Sequence, residues 1–403
     1  MLITFFPTKT AGAKKGLQTV QFEFATATRI VFGAGKAREI GTTAPSPGRR
    51  AMVVTGRSLA RADIILEQLN RQGIESISFS VPGEPTTDIA LAGVEKARQA
   101  ACDWVIGIGG GSVIDTGKVI AALLTNEGKL LDYLEVIGKG KPLEKTPAPY
   151  VAVPTTAGTG AEVTCNAVLE SPKHRVKVSM RSPLMLPRRA VVDPELTYSM
   201  PPPITASTGM DAFTQLLEAF VSNKANPFTD GICREGLRRA AGALVRAFED
   251  GSDTRAREAM SLASLFGGLA LANAKLGAVH GIAGPLGGMF KAAHGAVCGR
   301  LLPFVMELNI SALQMREPQS PSLARYREVA RIVTANPEAG PSDAINWVRN
   351  VCTRLKLPPL TEYKITAADF PLLVEKAQAA SSMKGNPVQL SAEELVKILR
   401  QAL

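Results

Sequence analysis

WVIGIGGGSVIDTGK, residues 104–118, passes from an unbroken apolar run through three consecutive glycines into a helical stretch. Strand, glycine turn, helix is the unit from which parallel α/β sheets are built. Gly109, Gly110 and Gly111 carry no side chain, so a pyrophosphate can approach their backbone closely. Ser112 stands where it can cap the helix, whose first N–H groups and dipole favour phosphate oxygens. The glycines are contiguous, so this is not the G-x-G-x-x-G fingerprint. Alone, the turn stays open between a phosphate cradle and a tight structural bend.

The same grammar extends in both directions up to about Met200. AMVVTG (51–56), ISFSV (77–81) and YVAVPT (150–155) read as further strands. LARADIILEQLNRQG (59–73), TTDIALAGVEKARQA (86–100, with Thr86 as N-cap) and SVIDTGKVIAALLT (112–125) read as the helices between them. The segment VPTTAGTGAEVT (153–164) leaves the fourth strand as a loop of small hydroxyl and glycine residues, among them Thr155, Thr156 and Thr159. Two such loops leaving neighbouring strands lie on the carboxyl edge of the sheet, where open α/β sheets bind ligands.

After Pro201-Pro202-Pro203 the pattern changes. MDAFTQLLEAFVS (210–222), DGICREGLRRAAGALVRAFED (230–250) and REAMSLASLFGGLALANAK (257–275) have helical periodicity, as do SLARYREVARIVT (322–334) and AEELVKILRQAL (392–403). A chain of 403 residues also exceeds what one core usually serves. The predicted fold class is α/β plus all-α. Residues 1–200 form an N-terminal doubly wound parallel-sheet dinucleotide-binding domain, and residues 201–403 a C-terminal all-helical domain.

The net charge is +10, but the basic residues are spread in small groups such as Arg49–Arg50 and Arg238–Arg239. Without a long basic block or stacking aromatics, nucleic acid is not an expected partner, and the charge better suits an anionic cofactor or substrate. Apolar runs are interrupted well short of the ~20 residues of a membrane span, so no membrane partner is expected. Five dispersed cysteines with no C-x-x-C pair point to reduced thiols and a cytoplasmic protein. Residues 1–20 lack a signal-peptide pattern and read as a frayed or strand-forming terminus. Of only three histidines, His280 and His294 fall within fifteen positions, as a metal pair would, or as two satisfied helix histidines would.

GGGSVIDTGK (109–118), PTTAGTGAE (154–162), VVDPEL (191–196), GMDAFTQLLEAFVS (209–222) and VHGIAGPLGGMFKAAHG (279–295) occur in the order found in the iron-containing, group III alcohol dehydrogenases. By these motifs the chain is identified as a member of that family over about residues 25–310. The resemblance implies hydride transfer between NAD or NADP and a small-molecule alcohol or aldehyde, in a cleft between the two domains. It also implies a divalent metal, usually Fe²⁺ and sometimes Zn²⁺, and a homodimer or larger homo-oligomer. The family's ligands are an Asp, a His four residues later and two further histidines. Asp211, His280 and His294 match three of them, and Gln215 stands where the first His is expected. These residues form the expected catalytic and metal site, with Gln215 as a weak oxygen ligand or a donor behind the ligands. Asp, His and His are also the zinc ligands of the related glycerol dehydrogenase, and three ligands leave a position for substrate.

Asp115 and Lys118 fit family positions that hold the glycine loop and cofactor; Asp193 and Lys177 fit less specific ones. Gly284 replaces a histidine associated in the family with proton transfer, and His174, in the SPKHRVKV turn, is expected at the surface instead. Where the family often has an Asp that repels a 2′-phosphate, this chain has Gly56 followed by Arg57, which favours NADP or use of both cofactors. A straight helix over 280–294 would set the two histidines ~21 Å apart, so Pro285 and Gly287-Gly288 are expected to break it. The rival reading is a metal-independent reductase resembling maleylacetate reductase. A relative of dehydroquinate synthase and a catalytically dead binding protein are further alternatives.

Overall fold

The computed structural model describes residues 20–40, 48–58, 61–174 and 176–403. The expectation for the N-terminal twenty residues therefore lies almost wholly outside the described residues. A six-stranded parallel sheet forms the first half, from β1 (Arg29–Phe32), β2 (Arg50–Thr55), β3 (Glu75–Ser80), β4 (Trp104–Gly109), β5 (Tyr150–Pro154) and, after a hairpin, β8 (Arg189–Val192). The hairpin is the antiparallel pair β6 (Asn166–Ser171) and β7 (Val176–Arg181). Helices α1 (Asp63–Arg71), α2 (Thr87–Gln99), α3 (Gly111–Thr125) and the single turn α4 (Leu130–Tyr133) lie between strands.

The sheet order is β1-β8-β5-β4-β2-β3. From β2 the chain moves outward to β3, and from β4 it moves the other way to β5. The crevice between the carboxyl ends of β2 and β4 is therefore the topological switch point, where such sheets bind ligands. Every residue of β4 is buried, as a strand covered by helices on both faces requires. Apolar clusters fill both faces of the sheet, around Met52, Val105 and Ile120 on one side and Val53, Ile106 and Val153 on the other. Thr86 caps α2 as expected, its Oγ1 accepting from Ile89 N–H at 3.1 Å.

The second half is helical: α5 (Pro202–Val221), α6 (Pro227–Glu249), α7 (Thr254–Ala274), α8 (Ala278–Phe290), α9 (His294–Arg316), α10 (Pro321–Thr334), α11 (Pro341–Arg354), α12 (Phe370–Ala379) and α13 (Ala392–Ala402). Pro202 opens α5 at a position where proline is tolerated, because the first N–H has no partner in a helix. Of the described helices, α9 is long and apolar enough to cross a membrane, yet 78% of that stretch is buried inside the molecule, as a core helix should be.

Two local expectations need correction. Ser112 does not cap α3: the helix begins at Gly111, Gly110 is the N-cap, and Ser112 sits inside the first turn. Pro285 and Gly287-Gly288 do not break the helix either, since α8 continues through them to Phe290. The chain turns instead at Lys291, whose φ of 48° ends α8, and α9 starts at His294. Gly288 serves packing, for a Cβ there would meet Lys177 N of β7 at 3.1 Å.

Candidate active site

Three helices meet at one cluster. Asp211 lies in the middle of α5, His280 in the first turn of α8 and His294 at the first position of α9. His280 Nε2 is 3.3 Å and His294 Nε2 3.8 Å from Asp211 Oδ1, and the imidazole centres are 5.5 Å apart. The close turn between α8 and α9 thus does what the expected helix break was to do. Gly295 makes the approach possible: a Cβ on it would fall 2.0 Å from Ser207 O of α5.

Glu218, two turns beyond Asp211 on α5, faces the same point. It accepts from His280 Nδ1 at 2.7 Å and from Val279 N–H at 2.7 Å. A carboxylate on Nδ1 fixes the tautomer and leaves Nε2 free to ligate, the usual arrangement behind a metal-bound histidine. Cys298, one turn beyond His294, completes the cluster, with Sγ 3.7 Å from His294 Nε2. Asp211, His280, His294 and Cys298 present donor atoms all within 4.8 Å of one another. Neither Glu218 nor Cys298 was identified from sequence, although spacings of seven from Asp211 and four from His294 place them on the ligand faces.

The cluster is electrostatically coupled. Burial would raise the Asp211 carboxyl, but the His280 hydrogen bond and both imidazoles hold it below its ordinary value. Burial likewise opposes ionisation of Cys298, yet His294 and His280 bring its thiol down. Burial would depress His280, whereas Cys298, Asp211 and Glu218 raise it well above the ordinary histidine value.

Gln215 is buried beside this cluster. Its Nε2 donates to Thr159 O at 3.4 Å, and its amide bonds Asp211, which further favours the carboxylate. Among the described residues its Oε1 has no hydrogen-bond partner, and it lies toward Gly267 of α7, 3.0 Å from where a Cβ there would sit. The amide nitrogen is thus seen as a donor, and the oxygen is the atom nearer Gly267.

The two sheet-edge loops come together as expected. A Cβ on Gly111 would lie 2.9 Å from Thr159 Cγ2, and one on Gly110 would lie 3.5 Å from Thr156 Cγ2. Thr155 is buried behind them, its N–H donating to Gly109 O at 2.9 Å. Gly160, at φ 60°, rests on Gly268 of α7, so the same loop touches the glycine turn and the helices alike. Gly56 follows β2 across the switch point, and Arg57 is exposed there, donating from Nη2 to Pro82 O at 3.2 Å.

Asp115 and Lys118 hold the loop structure from below. Lys118 Nζ, fully buried, donates to Thr164 Oγ1 at 2.9 Å and Asn166 O at 2.7 Å, and Asp115 Oδ2 accepts from Val168 N–H at 3.0 Å. Asp193 accepts from Gly35 and Ala37 N–H, clasping the segment after β1 to the end of β8. Lys177 pairs with Glu84 at 2.7 Å. His174 is exposed, with Nδ1 2.8 Å from Ser171 Oγ. Gly284 faces open space one turn beyond His280.

A family model described as iron-containing alcohol dehydrogenase matches residues 27–194, and the Fe-containing alcohol dehydrogenase family C-terminal model matches residues 205–403. The sequence is 35% identical over 367 residues to a 1,3-propanediol dehydrogenase of Citrobacter freundii, covering 88% of this chain and 92% of that protein. The crystal structure of a 1,3-propanediol oxidoreductase superposes with a TM-score of 0.88 at 32% identity, covering 95% of this chain and all of that one. Sulfoacetaldehyde reductase from Bifidobacterium kashiwanohense, solved with NAD⁺, gives a TM-score of 0.84 at 28% identity, covering 95% and 99%.

Proposed function

This chain belongs to the iron-containing alcohol dehydrogenase family and is an oxidoreductase that interconverts an alcohol and its aldehyde or ketone; on that premise we propose which of its residues do the work. Asp211, His280 and His294 hold a divalent ion, iron first and zinc second, and Gln215 orients Asp211 through its amide. The observation that carries this reading is the convergence of three donors from three helices, with Glu218 bonded to the far nitrogen of His280. When bound, the ion supplies Lewis-acid polarisation of the substrate C–O bond and the nicotinamide a place for the hydride.

The residues of the chain position both reactants. Gly109, Gly110, Gly111 and the N-terminus of α3 receive the pyrophosphate, with Ser112 in the first turn adding to that end of the helix. Thr156 and Thr159 line the opposite wall with Thr155 buried behind them, and Asp115 and Lys118 brace the wall through β6. Arg57, exposed at the end of β2, favours NADP or use of both cofactors, because a guanidinium attracts the 2′-phosphate that an acid would repel. Gly284 leaves room for a bulkier or charged substrate. The division of labour follows residues 1–200 for the cofactor and 201–403 for the metal. Five free cysteines fit a cytoplasmic protein, and a homodimer or larger assembly fits the family resemblance.

The deciding experiment strips the protein of metal and follows NADPH- and NADH-dependent reduction of an aldehyde panel before and after adding Fe²⁺ or Zn²⁺. Activity restored by metal and lost in His280→Ala supports the assignment. Equal activity without metal would sink it and favour a metal-independent reductase.

A further inference from the structure

Asp211, His280 and His294 supply three donors, and the amide oxygen of Gln215 is turned toward Gly267. Cys298 occupies the remaining corner. It leaves α9 on the same face as His294, four residues on, and is fully buried. Three separations within the cluster lie near those expected around one central ion. With metal–sulfur bonds of about 2.3 Å and metal–nitrogen or –oxygen bonds of about 2.0–2.1 Å, a tetrahedron has S···N edges of about 3.6 Å and N···O edges of about 3.3 Å. The structure has 3.7 Å between Cys298 Sγ and His294 Nε2, and 3.3 Å and 3.8 Å between the imidazoles and Asp211 Oδ1.

We propose that Cys298 is a thiolate ligand of the active-site ion, completing an Asp-His-His-Cys set in place of the histidine that Gln215 has displaced. The proposal rests on the reading that Asp211, His280 and His294 bind metal. On binding, the S–H bond breaks, the sulfur lone pair goes to the ion and the proton leaves to solvent; no electron is transferred. Two anionic donors then balance the charge of a divalent ion, and the soft sulfur favours zinc or cobalt over magnesium or manganese. Four protein donors do not shut out substrate, because such ions expand to five-coordination.

The test loads the metal-stripped full-length protein with one equivalent of Co²⁺ and records its absorption. A near-ultraviolet thiolate-to-cobalt charge-transfer band is expected in the wild type. It should vanish in Cys298→Ser, while one-to-one binding and the visible d–d bands persist. Bound cobalt with d–d bands but no charge-transfer band in the wild type overturns the proposal and leaves the three-ligand reading standing. A band that survives Cys298→Ser overturns it too, and failure to bind cobalt at all overturns both. Zinc-edge X-ray absorption of the wild type needs no variant: one sulfur at about 2.3 Å supports the proposal, and a shell of nitrogen and oxygen alone sinks it.

Discussion

At the scale of single residues, the site depends on who faces whom across α5, α8 and α9. Glu218 is bonded to His280 Nδ1 and to the N–H of Val279, so it holds both the ring and the helix end that carries it. Glu218→Gln is expected to weaken metal binding about 10- to 100-fold, the usual cost of losing a carboxylate behind a ligating histidine. Competition against a chelator measures this, and unchanged affinity would remove Glu218 from the site. Gly284 offers the converse experiment, because its missing side chain points into open space. Gly284→His should add an ionisation to the kcat profile for alcohol oxidation, with the rate rising through about pH 6–7 as the imidazole loses its proton, by up to roughly 10²-fold. A profile identical to that of the wild type would show that no proton passes through this position. Sequence made His280 and His294 visible because imidazole is scarce here. Cys298 is not legible from the cysteine pattern, because its informative spacing is to a histidine four residues away.

Among elements, what was readable were those with a strong period or an apolar run. The strand of 104–109 has the expected bounds, and α2 starts from its expected Thr86 cap. The edge strand β1 and the strand β8 are four residues each, too short for a pattern, and of the β6–β7 hairpin only the SPKHRVKV turn is legible. The α8–α9 corner was misplaced because proline and glycine were taken as breakers. In the structure Gly288 and Gly295 on these helices admit neighbouring backbone, while Gly281, Gly287 and Gly299 face neighbouring side chains. Gly295 is the sharpest case. In Gly295→Ala the new methyl would collide with Ser207 O, a backbone atom in the middle of a packed helix, so α9 must shift away from α5. The expected loss is about 1–3 kcal/mol of stability together with metal content, since His294 and Cys298 move with that helix. Thermal denaturation and metal analysis check the two effects separately; a variant with wild-type stability and metal would show that α9 is not seated as described.

Across the whole molecule, the doubly wound sheet and the helical second half were readable from alternation alone, whereas the contact between them was not, because it joins residues far apart in sequence, with Val163, Ala190 and Val192 packed against Leu265 and Leu269 of α7 and Gly160 against Gly268. The loop after β5 takes part in that contact, and Glu162 in its 3₁₀ turn is buried there. Burial pushes its carboxyl from the ordinary 4.5 up to about 7, and the nearby Lys118 ammonium offsets only part of this. The sign of the consequence follows from proton counting. Between about pH 4.5 and 7 the folded protein keeps a proton on Glu162 that the unfolded chain has lost, so stability falls as pH rises through this window and levels off above it. A shift of this size corresponds to roughly 3 kcal/mol. Glu162→Gln keeps the shape and removes the ionisation, so wild type and variant should melt alike near pH 4.5. The variant should then gain progressively up to about pH 7 and hold that gain at pH 8, when thermal midpoints are followed under matched salt. Because every other titrating group is common to both proteins, the difference isolates Glu162, and a gap that does not change with pH would mean that this carboxyl is already ionised in the folded molecule.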